Sequence, residues 1–248
     1  MSIARRAGAE FLGTAFLLAA VVGSGIMGER LSGGNVAITL LANSLATGFA
    51  LAALITVFGP MSGAHMNPLV TLSLALRREA EWRDVLPYLV AQAAGAVAGV
   101  WAAHIMFDLP GLQSSTSVRS GASQLWSEAV ATFGLITVVL NCGRDRPWAA
   151  PIAVSSYIAA AYWFTASTSF ANPAVTIARS MTATFSGIRL EDVAGFIAAQ
   201  LAGALLAVAA DRLLRVSPDR NAEPGALSLG TRRSDIPPER VTDTTQGM

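Results

Sequence analysis

The chain has 248 residues, of which 53% are hydrophobic and 13% charged, and its mean hydropathy of +0.51 excludes an ordinary soluble domain and places it in a bilayer. Its formal net charge is +1, every basic residue is Arg, and nothing in that balance selects a nucleic-acid partner. The single cysteine, Cys142, allows no intrachain disulfide and sits in an apolar stretch, which predicts a packed thiol.

A membrane-spanning helix needs roughly 20 mostly apolar residues, and the long gaps between charges predict six of them. The first covers 7–27; Arg5-Arg6 before it and Gly23-Ser24-Gly25 within it resemble a signal peptide, but Glu10 and the later spans favour a retained helix. The second covers 35–58, followed by a half-length apolar segment at 68–76. The third span is 85–107, the fourth 122–142 and the fifth 148–167. A second half-length segment lies at 173 to about 182, and the sixth span is 193–214. At about 1.5 Å per residue, each half-length segment reaches only half the hydrocarbon thickness. After Val216 the chain turns rich in Pro, Arg and Asp, through Pro218, Pro224, Pro237 and Pro238, which predicts a disordered tail over 217–248 after a membrane domain over 1–216.

Arginine placement orients the spans. Arg5, Arg6, Arg77, Arg78, Arg83, Arg144, Arg146, Arg212, Arg215 and Arg220 fall on one side of the six-span arrangement, against Arg30, Arg119 and Arg189 on the other. The positive-inside rule then puts both termini in the cytoplasm.

An internal repeat organises the chain. MNPLVTLSLA from Met66 returns as ANPAVTIARS from Ala171, AQAAGAVAG from Ala91 as AQLAGALLA from Ala199, and AEFLGT from Ala9, more faintly, as SEAVAT from Ser127. Each unit, about 7–107 and 122–214, holds three spans and one half-helix. An odd number of spans makes the second unit enter upside down, giving an inverted-topology repeat in an all-α membrane protein.

Proline suits the first helical position and Asn is a favoured N-cap, so Asn67-Pro68 and Asn172-Pro173 each predict the start of a half-helix. The backbone before them, 59–66 and 167–171, must be irregular at membrane depth, which is tolerated only inside protein or beside a water-filled cavity. Inversion brings the two half-helix N-termini together near the midplane, where roughly half a positive charge on each repels cations and the Asn67 and Asn172 amides can donate to a passing oxygen. A pore for neutral hydrogen-bonding solutes follows.

SGAHMNPLVT and SFANPAVT resemble the paired signatures of the aquaporin and glycerol-facilitator channels, the major intrinsic protein family, over about 7–214. The resemblance implies six spanning helices with two re-entrant half-helices. It also implies a homotetramer in the lipid bilayer with one pore per subunit, no cofactor or metal, and passive permeation of water or small uncharged solutes. The central constriction would comprise Asn67, Pro68, Leu69, Asn172, Pro173 and Ala174. Leu69 stands where the family usually has Ala, which predicts added bulk beside the constriction.

A larger departure follows the second turn, where Val175 stands in place of the usual filter arginine. Carried over by spacing, the other outer filter positions are Thr47, Ala160 and Ser169, so the resemblance implies a wide, mildly polar and uncharged outer constriction. Arg179, four residues after Val175, shares its helix face; it reads either as a displaced filter cation or as an anchor for the half-helix. The resemblance also implies that Glu10 and Glu128 are buried acceptors for the re-entrant loops, although Glu10 has a rival reading as an end residue reaching toward water. His65 is expected to brace the first loop, with a pH gate as the alternative; His104 receives no role.

WFTASTSFANPAVTIAR looks like a bacterial branch of the family associated with arsenic resistance, which points to a bacterial inner membrane. The expected solutes are metalloid acids such as arsenite, then glycerol-like polyols, urea and water; methylated or partly ionised arsenicals enter consideration because the filter arginine is missing. A water-selective aquaporin is the alternative. A coupled secondary transporter would need ionisable groups beyond Glu10, Glu128 and Arg179. No HExxH or GxSxG motif marks an enzyme.

Overall fold

The computed structural model describes residues 1–142 and 148–214; the predicted tail over 217–248, together with Arg144, Arg146, Arg215 and Arg220, lies outside the described residues. Eight helices follow in order: α1 (Ile3–Leu31), α2 (Val36–Ser62), α3 (Pro68–Leu76), α4 (Trp82–Met106), α5 (Ala122–Cys142), α6 (Ala150–Phe164), α7 (Pro173–Arg179) and α8 (Leu190–Leu214). No strand occurs among the described residues. α1, α2, α4, α5 and α8 are long and apolar enough to cross a membrane. α6 has 15 residues, shorter than the predicted span, because the Thr165 hydroxyl donates to the Ala161 carbonyl and the backbone at Thr165 turns extended. With the five long helices it makes six, of which it is the fifth in chain order, and the chain turns inward after it toward α7.

The start of α1, the C-terminal end of α3, the start of α4 and the end of α8 share one face, here the terminal face. Arg6 pairs with Asp84 across it, and Arg212 donates to the Leu76 carbonyl. α7 runs from mid-depth toward the far face, opposite in sense to α3. α1 packs against α4 and α2, and α5 against α8. Three glycines permit close helix–helix backbone approaches: a Cβ on Gly95 would collide with the Phe11 carbonyl, one on Gly99 with the Ala15 carbonyl, and one on Gly203 with the Ala129 carbonyl. Small residues at such crossings let helix backbones meet in lipid. Large apolar side chains such as Phe16, Phe49, Leu86, Trp126 and Leu206 point outward, as a bilayer-embedded surface requires.

Besides α6 and the longer α1, two bounds beside the half-helices differ from the sequence reading. α2 continues helically through Pro60 and stops only at Gly63, whose φ of 91° forms a left-handed cap with its N–H donating to Gly59; the irregular stretch is therefore 63–67 rather than 59–66. α7 ends at Arg179, short of 182, because the Arg179 carbonyl accepts from the N–H of Ile188 in the returning loop.

Candidate functional site

Each Asn-Pro turn builds its half-helix in the same way. The Asn67 side-chain oxygen accepts from the Leu69 N–H, that of Asn172 accepts from the Ala174 and Val175 N–H groups, and Pro68 and Pro173 occupy the first turns. The asparagine nitrogens cross over: Asn67 Nδ2 donates to the Ala171 carbonyl at 2.8 Å, and Asn172 Nδ2 donates to the Met66 carbonyl at 2.8 Å. Each amide thus spends one N–H locking the opposite loop and retains a second. The N-termini of α3 and α7 are held face to face.

The loops entering these turns carry positive φ at Ala64, Met66, Thr168, Ser169 and Ala171, conformations that persist only where surrounding contacts over-determine them. Two buried carboxylates supply those contacts. Glu10 accepts from the N–H groups of His65 and Met66, the Ser62 hydroxyl and Gln92 Nε2. Glu128 accepts from the N–H groups of Phe170 and Ala171 and from Gln200 Nε2. Gln92 and Gln200 also donate to the hydroxyls of Thr71 and Thr176, which in turn donate to the Asn67 and Asn172 carbonyls. Neither glutamine was identified as a site residue from the sequence, although both stand in the repeated Ala-Gln of AQAAG and AQLAG. His65 packs edge-on to Tyr88, and its Nδ1 lies 3.0 Å from the Thr71 hydroxyl.

A cavity of about 300 Å³ passes both asparagines, from Leu74 and Glu79 near the terminal face to Tyr162 and Arg179 near the far face. Its walls are mostly aliphatic, including Leu17, Val21, Leu51 and Ile158, with the loop residues 63–66, Ser169 and Phe170 along its length. Pro68, Leu69, Pro173 and Ala174 do not line it. Leu69 packs instead with Val70, Ile136, Leu140 and Ala204, so the bulk expected beside the constriction is directed between α3, α5 and α8.

The far mouth also differs from the carried-over positions. Thr47, Ser169 and Val175 line the cavity, but Ala160 lies on the exposed face of α6 and does not. Tyr162 lines it instead and meets Thr47, Oη to Oγ1, at 3.2 Å. Two residues along a helix turn the side chain by about 200°, so a connection to the second turn two residues shorter than assumed exchanges one face for the other. Nor is the lining uncharged, because Arg179 belongs to it. Its Nε donates to the Ser186 carbonyl and its guanidinium carbon sits 3.4 Å from the Phe170 ring centroid. Arg119, from the loop before α5, flanks the same ring at 5.0 Å and donates to the carbonyls of Ser167, Phe185 and Gly187. His104 is fully buried, its ring nitrogens bonded to the Gly111 carbonyl and the Thr182 hydroxyl, which joins the two far-face loops.

Comparison with known proteins places this arrangement. Residues 1–150 match the major intrinsic protein family. The chain is 54% identical to aquaglyceroporin AqpS of Rhizobium meliloti over 80% of its own length and 85% of the relative's. It is 31% identical to a glycerol uptake facilitator protein of Streptococcus pneumoniae over 54% of its length and 62% of the relative's. The X-ray structure of the aquaglyceroporin from Plasmodium falciparum shares the fold, with a TM-score of 0.60 at 21% identity, covering 84% of this chain and 95% of that one. The chain is a multi-pass membrane channel, not an enzyme, and it belongs to the major intrinsic protein family.

Proposed function

We propose that this protein is a passive channel for small neutral hydroxylated solutes, metalloid acids such as arsenite and glycerol-like polyols, and for water. The observation that carries the reading is the cavity past Asn67 and Asn172, with mostly aliphatic walls and a few hydroxyls at its far mouth. Apolar walls hold the carbon face of a polyol, and the asparagine N–H groups donate to its oxygens while the half-helix dipoles disfavour cations. The names of the aquaglyceroporin and glycerol-facilitator relatives support the same class. Glu10 and Glu128 are bonded to the loops they brace, which leaves neither as a coupling group for a carrier. The full reading has residues 1–216 as the channel domain of a homotetramer in a bacterial inner membrane, with the terminal face cytoplasmic.

Tyr162 favours a second reading, a water-selective pore, because its ring adds bulk where alanine was expected. Stopped-flow light scattering on proteoliposomes separates the two. Rapid shrinkage followed by re-swelling with glycerol and arsenite is expected; fast water passage with both solutes excluded would sink the first reading.

A further inference from the structure

α3 ends in a strained turn that carries a carboxylate to the pore. The Arg78 N–H donates to the Ala75 carbonyl at 3.0 Å and the Glu79 N–H to the Leu74 carbonyl at 2.8 Å, the pair of hydrogen bonds that closes a helix around a left-handed residue. Glycine usually fills that position, but here Arg78 does, with a φ of 59°. Glu79, the next residue, lines the cavity at the terminal mouth. A negative charge just past a helix C-terminus is disfavoured by the helix dipole, so neither the backbone nor the charge at this turn serves the stability of α3. Strain that persists in this way marks functional positions. Arg77 Nη2 lies 3.0 Å from Asp211 Oδ2, and Arg77 Nε lies 3.9 Å from Glu79 Oε1; neither Arg77 nor Asp211 lines the cavity. The path therefore meets the carboxylate, with its cationic neighbour behind it.

The rest of the pore gives that charge a role. The N-termini of α3 and α7 turn their positive ends to the midplane, and Arg179 lines the far mouth. These groups repel cations but attract anions, and Glu79 is the one carboxylate lining the cavity among the described residues. We infer that Glu79 is an anion-rejecting group at the terminal mouth, which confines passage to the uncharged form of weakly acidic or hydroxylated solutes. The inference rests on the channel reading above and deepens it. An anion entering the mouth is opposed by the Glu79 charge in a dielectric between those of water and protein, whereas a neutral solute meets no net Coulomb force. A barrier at one end limits flux in both directions, so the rejection holds whichever way the solute runs.

The test compares parent, Glu79→Asp, Glu79→Gln and Glu79→Lys in proteoliposomes that contain valinomycin. After a hyperosmotic step of potassium nitrate the vesicles re-swell only as nitrate enters, because valinomycin carries the potassium; re-swelling in glycerol is measured in the same preparation as the reference. Gln matches Glu in size, so Glu79→Gln removes the charge and keeps the bulk. Its nitrate-to-glycerol ratio is expected to rise about tenfold over parent, the scale of one unit charge acting at close range in an intermediate dielectric. Glu79→Lys is expected to rise further, and Glu79→Asp to stay near parent. An unchanged ratio in Glu79→Gln overturns the proposal, as does a rise in Glu79→Asp equal to that in Glu79→Gln, which would trace the effect to side-chain length. Should Glu79→Lys fail to fold, Glu79→Gln and Glu79→Asp decide. A parent that passes water but neither glycerol nor arsenite overturns the channel reading and this inference with it; a glycerol-permeable parent whose ratio Glu79→Gln leaves unmoved overturns only the anion-rejecting role.

Discussion

Replacing Glu128 with Gln tests whether the carboxylates hold the pore-lining loops in place. Glu128 is fully buried and accepts at 2.9 Å from Phe170, 2.9 Å from Ala171 and 2.6 Å from Gln200. Glutamine keeps one acceptor oxygen and sets an NH₂ group against a donor. At least one bond to a charged acceptor, about 1.5 to 3 kcal/mol, is lost, and one buried N–H is left unsatisfied at about 1 to 3 kcal/mol. The substitution should therefore cost roughly 3 to 5 kcal/mol. Thr168, Ser169 and Ala171 all have positive φ, so released backbone relaxes and Asn67 loses its fixed acceptor, the Ala171 carbonyl. In detergent, the melting midpoint should fall on the order of 10 °C, with glycerol flux per folded protein falling as well. Glu10→Gln, with four donors to lose, should be at least as damaging. Parent-like melting and flux in both variants would refute the argument.

Val175→Arg places a second guanidinium one turn from Arg179 on the same cavity wall; glycerol and arsenite flux should drop at least tenfold, equivalent to about 1.4 kcal/mol of barrier, while water continues to pass. Equal loss of water and solutes would indicate general blockage. Tyr162→Ala should raise the entry rate of four-carbon polyols measured by light scattering; an unchanged rate would show that Tyr162 does not set the width of the mouth. Gly203→Ala drives a Cβ into the Ala129 carbonyl and should destabilise by about 1 to 3 kcal/mol, whereas Gly8→Ala meets nothing within 4 Å and should be neutral or slightly stabilising. Matched melting curves for the two would contradict the close packing of α5 on α8.

The half-helix starts were legible because Asn caps and Pro at the first turn are local signals, and the bounds of α3 follow from them directly. The end of α7 was not, since it depends on Ile188 reaching back to Arg179 from a loop of no regular pattern. Ala160 and Tyr162 could not be ranked without the length of the connection to Asn172, which sets which face of α6 meets the cavity. Leu69 reads as pore bulk from its place in the motif, but the helix phase set by the Asn67 cap turns it to the α5–α8 side. Gln92 and Gln200 left a trace in the repeated Ala-Gln, and what hid their role is that their partners, Glu10 and Glu128, are distant in sequence. Arg119 carries no motif at all; its place against Phe170 is purely tertiary.

The central claim, a passive pore past Asn67 and Asn172, is tested most directly by the initial rate of labelled glycerol entry into proteoliposomes with proton and sodium gradients collapsed. The pore predicts entry that persists and rises linearly with glycerol concentration. Entry that stops when the gradients collapse, or saturates and shows counterflow, would identify a carrier and contradict it.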